Sequence, residues 1–156
     1  AEIYISDIHE ETLNRVSREY GAIVVGLDAI YDIDMDIYAP CALGATVNDA
    51  TLRRLKCSII AGAANNQLAN ESVHGKKVIE MGMIYAPDYL INAGGVMNCA
   101  GEVYNIDNDK VMSMAENIYN TTLAIIKKSR EEGLPSYLAA NKMAEERIAS
   151  LIKDKK

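Results

Sequence analysis

Short apolar runs alternate with amphipathic stretches over about the first 95 residues, and this alternation restricts the fold more than any other feature of the chain. The apolar run at 57–61, Cys-Ser-Ile-Ile-Ala, carries no charge and suits a strand in a parallel sheet that helices cover on both faces. Strand-like runs are predicted at 2–6, 22–25, 34–39, 57–61, 83–86 and 89–92, with the last two forming one strand or a strand pair.

Helices are predicted in the intervals between these runs and through the rest of the chain. Those before Gly94 lie at about 9–20, 48–56 and 71–81, and Asn48 is the expected N-cap of the second. Beyond Gly94 we expect a long helix with an apolar face from Val111 to Ser129, ended by Gly133 and Pro135, and a last helix at about 136–153.

Strands that alternate with helices at this spacing predict an α/β fold of the Rossmann type, a doubly wound parallel sheet. The chain is interpreted as one partial domain over 1–156, with an α/β part at about 1–95 and a helical part at about 96–156. The glycine-rich turn GxGxxG and the first strand of such a fold are not found, so both are expected upstream of Ala1.

Composition excludes several classes of function. The net charge of −6 argues against binding to nucleic acid or to an anionic membrane surface, because no basic face is evident. No apolar run approaches the ~18 residues that a membrane span requires. Three scattered cysteines without a CxxC pair indicate reduced thiols in a cytoplasmic protein. Two histidines far apart in the sequence predict no metal site.

Asp7 follows the first strand-like run. An acid at the end of the second strand of a dinucleotide fold accepts hydrogen bonds from the adenosine ribose, and its charge favours NAD over NADP. The alternative is that Asp7 only caps the next helix, in a capping-box-like pair with Glu10.

The other strand ends carry small residues and amides, since segments 40–48, 62–67 and 88–96 contain Ala, Gly and Asn. Small residues allow a ligand to approach the backbone, and an asparagine amide suits a sugar hydroxyl or a carboxamide. An ordinary loop, turn-forming asparagines or a nucleophilic Cys41 are the alternatives. These segments contain no lysine or histidine, and Asp7 and Asp88 are the only carboxylates at the strand ends. The sequence therefore predicts a binding surface without a catalytic residue.

Three blocks, 36–48, 60–67 and 85–96, closely resemble the Glu/Leu/Phe/Val dehydrogenase family, and the resemblance extends over essentially the whole chain. The block from Cys41 to Asn48 and the ending from Ala144 to Leu151 are most similar to the branch that acts on leucine.

The resemblance implies NAD-dependent, reversible oxidative deamination of an L-amino acid to a 2-oxo acid and ammonia, in an enzyme with two domains. It places Asp7 on the adenosine ribose, Cys41, Ala42 and Leu43 along the dinucleotide, and Asn65 and Asn66 near the nicotinamide ribose. Asn92 would approach both the nicotinamide and the substrate, and Val96 and Cys99 would line the pocket for the substrate side chain.

The substrate implied by the resemblance is leucine or another branched-chain amino acid, because an apolar residue and a small thiol cannot pair with a glutamate side chain. Family members that act on leucine usually carry valine where Cys99 stands, so phenylalanine and valine remain alternatives. The family's catalytic residues belong to an N-terminal domain that is expected to precede this chain. We therefore expect no turnover by the 156 residues alone. The resemblance also implies that the intact enzyme is a homo-oligomer. The alternative is that the chain is a non-catalytic nucleotide-binding module.

Overall fold

The computed structural model describes residues 1–153 and contains two parallel sheets. Strand β1 (Tyr4–Ile5) pairs with β2 (Ile23–Val24) in the first sheet. The second sheet has the order β3 (Ile37–Tyr38), β4 (Ile59–Ile60) and β5 (Ile84–Tyr85). No ladder joins the two sheets within residues 1–153, and all strand pairs in both are parallel, as in a doubly wound fold. The predicted fold class is confirmed.

Eight α-helices and one short 3₁₀ turn connect and follow the strands within the described residues. They are α1 (Glu10–Tyr20), the 3₁₀ turn (Ala29–Asp32), α2 (Asp49–Leu52), α3 (Glu71–Glu80), α4 (Asp88–Ile91), α5 (Gly94–Tyr104), α6 (Asn108–Glu116), α7 (Ile118–Glu132) and α8 (Ser136–Lys153). None of the helices within residues 1–153 has the length and apolar character needed to cross a membrane.

Two predicted elements were wrong. Residues 89–92 fall in and just after helix α4 rather than in a strand, because Pro87 sets a bend and Asp88 begins a helical turn. The long helix with its apolar face from Val111 to Ser129 is two helices, α6 and α7. Asn117 lies between them, and its N–H donates back to the carbonyls of Ser113 and Ala115, which tightens the last turn of α6.

The helix end signals behave as predicted. The Asn48 side chain accepts hydrogen bonds from the N–H groups of Ala50 and Thr51 and begins α2. Gly21 and Gly133 end α1 and α7 with φ of 69° and 64°, the left-handed region that glycine adopts without strain.

The main core lies around the three-stranded sheet. Val47 and Ile60 are fully buried there, and Val78 from α3 is 1% exposed. Burial also raises the pKa of the Cys57 thiol, which keeps it protonated and unreactive. A smaller cluster of Ile125, Ala139 and Ala140 joins α7 to α8. The two-stranded sheet contributes far less buried surface, since Ile3, Ile23 and Val24 are between 42% and 50% exposed.

Arg54 fastens the 3₁₀ turn to the end of α2. Its guanidinium contacts both carboxylate oxygens of Asp32, at 2.8 and 2.7 Å, and Oδ1 of Asp28 at 2.7 Å. The same group lies 5.5 Å from the centre of the Tyr31 ring. These hydrogen bonds lower the pKa of both carboxyl groups, although both are largely exposed.

Replacing Arg54 with Met is expected to lower the free energy of unfolding at neutral pH, since it removes the charge but keeps the stem over Tyr31. The pKa values of Asp28 and Asp32 lie below 3.8 in the folded chain, so their contribution is complete above that pH and is lost as pH falls through the folded values. Urea unfolding at pH 7 and pH ~3 measures the difference, which should shrink in acid. Arg53→Met is the control, and an R54M difference that is equal at both pH values would contradict the assignment.

Candidate functional site

The loops that follow β3, β4 and β5 lie side by side at the carboxyl ends of the strands, where doubly wound sheets bind ligands. The N–H of Ala45 donates to the carbonyl of Asn66 at 2.7 Å, and the N–H of Val47 donates to the carbonyl of Gln67 at 3.0 Å. These two backbone hydrogen bonds therefore join the loop after β3 to the loop after β4.

Two glycines make this loop packing possible. A Cβ atom on Gly62 would lie 2.1 Å from the carbonyl oxygen of Pro40, and one on Gly44 would lie 2.6 Å from that of Asn65. The small residues at these positions were expected to leave room for a ligand, but the neighbouring backbone fills the space instead. By contrast, a Cβ on Gly94 or Gly95 would meet nothing within 4 Å.

Asn65 and Asn92 meet at this edge. Nδ2 of Asn92 donates to Oδ1 of Asn65 at 2.6 Å and to the carbonyl of Ala63 at 3.3 Å. Asn66 follows with φ of 53° and, together with Asn65, lines a polar cavity of about 290 Å³. The structure thus brings Asn92 from one strand end into contact with Asn65 from another, and Asn66 follows Asn65 in the chain.

A buried network that sequence reasoning missed lies beneath these amides. The carboxylate oxygen Oδ2 of Asp88 accepts from the N–H of Gln67 at 2.8 Å and from the hydroxyl of Tyr85 at 2.9 Å. Asp88 is 7% exposed and Gln67 is fully buried. Burial and the nearby Asp88 carboxylate raise the pKa of the Tyr85 phenol, which therefore remains a hydrogen-bond donor. The sequence signal was Asp88 itself, one of the two carboxylates at the predicted strand ends.

Asp7 lies apart from this group, at the carboxyl end of β1 in the other sheet. Its Oδ1 accepts from the N–H of His9 at 2.9 Å, and His9, not Asp7, is the N-cap of α1. The capping-box alternative with Glu10 is not formed, because α1 has no side-chain cap hydrogen bond.

Cys41, Ala42 and Leu43 form the outer part of the loop after β3, and all three side chains are exposed. The ring of buried His74 accepts from the N–H of Asn70 at 2.9 Å and lies 3.5 Å from Asp49, so the polar contacts of this histidine do not involve Cys41. Nothing within residues 1–153 forms a group of three or more metal-ligating side chains.

Val96 and Cys99 lie one turn apart on α5, and both are exposed, Val96 at 68%. Gly94 and Gly95 form the first turn of the same helix, whose N–H groups have no partner within the helix. Asn92 ends α4 directly before this turn. Asn92 and the exposed side chains of Val96 and Cys99 are therefore close together in the sequence, and only the first residues of α5 separate them.

Comparison with known proteins matches residues 4–155 to the family described as Glutamate/Leucine/Phenylalanine/Valine dehydrogenase. Leucine dehydrogenase of Thermoactinomyces intermedius is 49% identical over 153 residues, which cover 98% of this chain and 42% of that protein. Valine dehydrogenase of Streptomyces coelicolor is 40% identical, over 96% of this chain and 42% of its own length. The crystal structure of L-tryptophan dehydrogenase from Nostoc punctiforme superposes with a TM-score of 0.93 at 44% identity, over 96% of this chain and 44% of that one. The chain thus spans about two fifths of the curated relatives it matches.

Gly62→Ala is expected to lower the free energy of unfolding by about 1–3 kcal/mol, because the added methyl group overlaps the backbone of Pro40. Thermal or urea unfolding measures the effect. Gly94→Ala is the matched control, since a methyl group there meets open space and should cause no loss of stability. A G62A protein as stable as the wild type would contradict the loop packing described above.

Proposed function

Because this chain belongs to the glutamate/leucine/phenylalanine/valine dehydrogenase family, we propose that it is the nucleotide-binding part of an NAD-dependent amino-acid dehydrogenase. The reaction is the reversible oxidative deamination of an L-amino acid to a 2-oxo acid and ammonia. The hydrogen bond between Asn65 and Asn92, which come from two different strand ends, is the observation that carries the proposal, and Asn66 follows Asn65 directly in the chain.

The side chains at this edge fit a nicotinamide nucleoside. Within residues 1–153, the side-chain hydrogen bonds of Asn92 use only Nδ2, and those of Asn65 use only Oδ1. Oδ1 of Asn92 and Nδ2 of Asn65 therefore offer one acceptor and one donor, as a carboxamide or ribose hydroxyls require. When bound, the nicotinamide ring supplies the acceptor for the hydride that leaves the α-carbon of the amino acid.

The remaining binding residues extend along the sheet edge. Asp7 accepts from the adenosine ribose hydroxyls, and Cys41, Ala42 and Leu43 lie along the dinucleotide. Asp7 suits its role because only one of its oxygens, Oδ1, has a hydrogen-bond partner within residues 1–153. The exposure of all three loop residues leaves their surface available for contact.

The acid–base groups of the reaction come from outside this chain. Asp88 is the only carboxylate within segments 40–48, 62–67 and 88–96, and its Oδ2 already accepts from Gln67 and Tyr85. A general base must reach the proton it removes, and a carboxylate enclosed in this way is poorly placed to do so. We therefore expect the isolated 156 residues to show no turnover, while the full-length protein is active.

Val96 and Cys99 contact the substrate side chain, which we propose to be that of leucine or another branched-chain amino acid. Both are exposed on α5 and adjoin the amide group through Asn92. Neither can pair with a charged side chain, which disfavours glutamate. The relatives named for leucine, valine and tryptophan all act on apolar amino acids, which is consistent with this choice.

We further propose that the intact enzyme is a homo-oligomer in the cytoplasm. Exposed apolar side chains on α8 support association, since Ile148, Leu151 and Ile152 are each more than half exposed. The three free cysteines suit a reducing compartment.

In the full-length protein, Asp7→Ser is expected to raise the KM for NAD by ~10-fold and to reduce the discrimination against NADP, because it removes a charge that would face the ribose. Steady-state kinetics with both cofactors provide the measurement. Glu11→Gln, which neutralises an acid in the first turn of the neighbouring helix α1, is the control. If D7S kept the wild-type preference for NAD, Asp7 would not lie at the ribose.

Val96→Phe and Cys99→Phe are each expected to lower kcat/KM for L-leucine by ~10-fold or more while leaving NADH binding nearly unchanged, since the larger ring occupies the space of the substrate side chain. Val103→Phe is the control, because Val103 is also an exposed valine on α5 but lies farther from Asn92. Assays with leucine, valine, phenylalanine, tryptophan and glutamate establish the preference. Equal turnover of glutamate by the wild type would overturn the assignment of Val96 and Cys99.

A further inference from the structure

Helix α4 holds the loop after β4 at two points. At its beginning, Oδ2 of Asp88 accepts from the N–H of Gln67 at 2.8 Å. At its end, Nδ2 of Asn92 donates to Oδ1 of Asn65 and to the carbonyl of Ala63. The helix is only one turn long. The two groups that it holds, the N–H of Gln67 and the side chain of Asn65, lie on either side of Asn66 in the sequence.

Asn66 lies between these two points with a φ of 53°, in the left-handed region that asparagine adopts more readily than most other non-glycine residues. The loop is also bonded internally, since Nε2 of Gln67 donates to the carbonyls of Gly62 and Ala64 at 2.5 and 2.9 Å. Gln67 is fully buried, so the orientation of its amide is set from within the protein. The backbone between Gly62 and Gln67 therefore has few alternative conformations.

The Asp88 end of this support is itself anchored. The Tyr85 hydroxyl donates to the same oxygen of Asp88, and the Ser136 hydroxyl donates to the Tyr85 carbonyl at 2.6 Å. One carboxylate thus connects β5, α4 and the loop after β4, and β5 is joined in turn to the beginning of α8. A buried carboxylate accepting two hydrogen bonds forms stronger bonds than a neutral acceptor.

We propose that Asp88 is a positioning residue, which acts through Gln67 and helix α4 to hold Asn65 and Asn66 where they contact the nicotinamide ribose. This rests on the proposed function for the contact with the nucleotide, but the support of the loop stands on the hydrogen bonds alone. Asp88 touches neither nucleotide nor substrate in this scheme, and its effect reaches the ligand only through the loop.

Asp88→Ala in the full-length protein tests the role with two measurements. Hydrogen exchange should show that the amide of Gln67 exchanges ~10-fold faster or more, because it loses its acceptor. Fluorescence titration should show a Kd for NADH raised by ~10-fold, because the loop no longer presents its asparagines in one arrangement. Asp88→Asn should restore most of both quantities, since its amide oxygen can accept the same two hydrogen bonds.

Val78→Ala is the control for a general loss of stability. Val78 is 1% exposed on α3, and its apolar side chain cannot form a hydrogen bond to the loop after β4. The change should therefore lower stability without raising the Kd for NADH. If V78A raised the Kd for NADH as much as D88A does, the effect of D88A would be a general loss of stability, and the proposal would be overturned.

The remaining outcomes separate the two claims. Unchanged exchange at Gln67 in D88A would overturn the support of the loop, and faster exchange with unchanged NADH binding would overturn the positioning role. A wild-type protein that binds no NADH would overturn the proposed function and the positioning role together, while the exchange data would still decide whether Asp88 holds the loop.

Discussion

The contact between the loops after β3 and β4 is the constraint on which the rest of the strand-end site depends. Gly62 meets the backbone of Pro40 so closely that a Cβ atom would overlap it, and the Ala45 N–H then reaches the carbonyl of Asn66. Backbone contacts of this kind leave little freedom for adjustment, because neither partner is a flexible side chain. The positions of Asn65 and Asn66 follow from this packing, and α4 then completes the edge from the other side.

The amides of Asn65 and Asn66 are neutral, but two acidic side chains, those of Glu71 and Asp88, line the same cavity. Asp88 is buried beneath the amides and hydrogen-bonded on the inside, while the exposed carboxylates of Asp28 and Asp32 lie with Arg54 on a different part of the chain. Neutral donors and acceptors bind hydroxyl and carboxamide groups without changing protonation, and they do not take protons from a substrate. The amides are therefore suited to binding and orienting a ligand, as proposed.

The strand ends could be predicted from sequence because each follows a short apolar run, and parallel strands bring their carboxyl ends to one edge. Helix α4 could not, because Tyr-Leu-Ile has strand-like composition and its helical turn depends on Pro87 and on Asp88 bonding across to Gln67. The break at Asn117 was missed since the apolar spacing continues through it. Asp88 and Gln67 were not recognised as partners because they lie 21 residues apart and meet only in the folded chain.

Val96 and Cys99 show why specificity is harder to derive than the binding edge. An exposed helix face provides one side of a pocket, and whatever lies opposite decides how large a side chain fits. One methylene group in an apolar pocket changes selectivity by only about 1–3 kcal/mol, so a modest change on either side can redirect preference among apolar amino acids. Relatives named for leucine, valine and tryptophan share 40–49% identity with this chain, which fits one fold whose pocket dimensions vary. The proposed exclusion of glutamate rests on a stronger constraint, because a buried carboxylate without a partner costs far more than a poorly filled space.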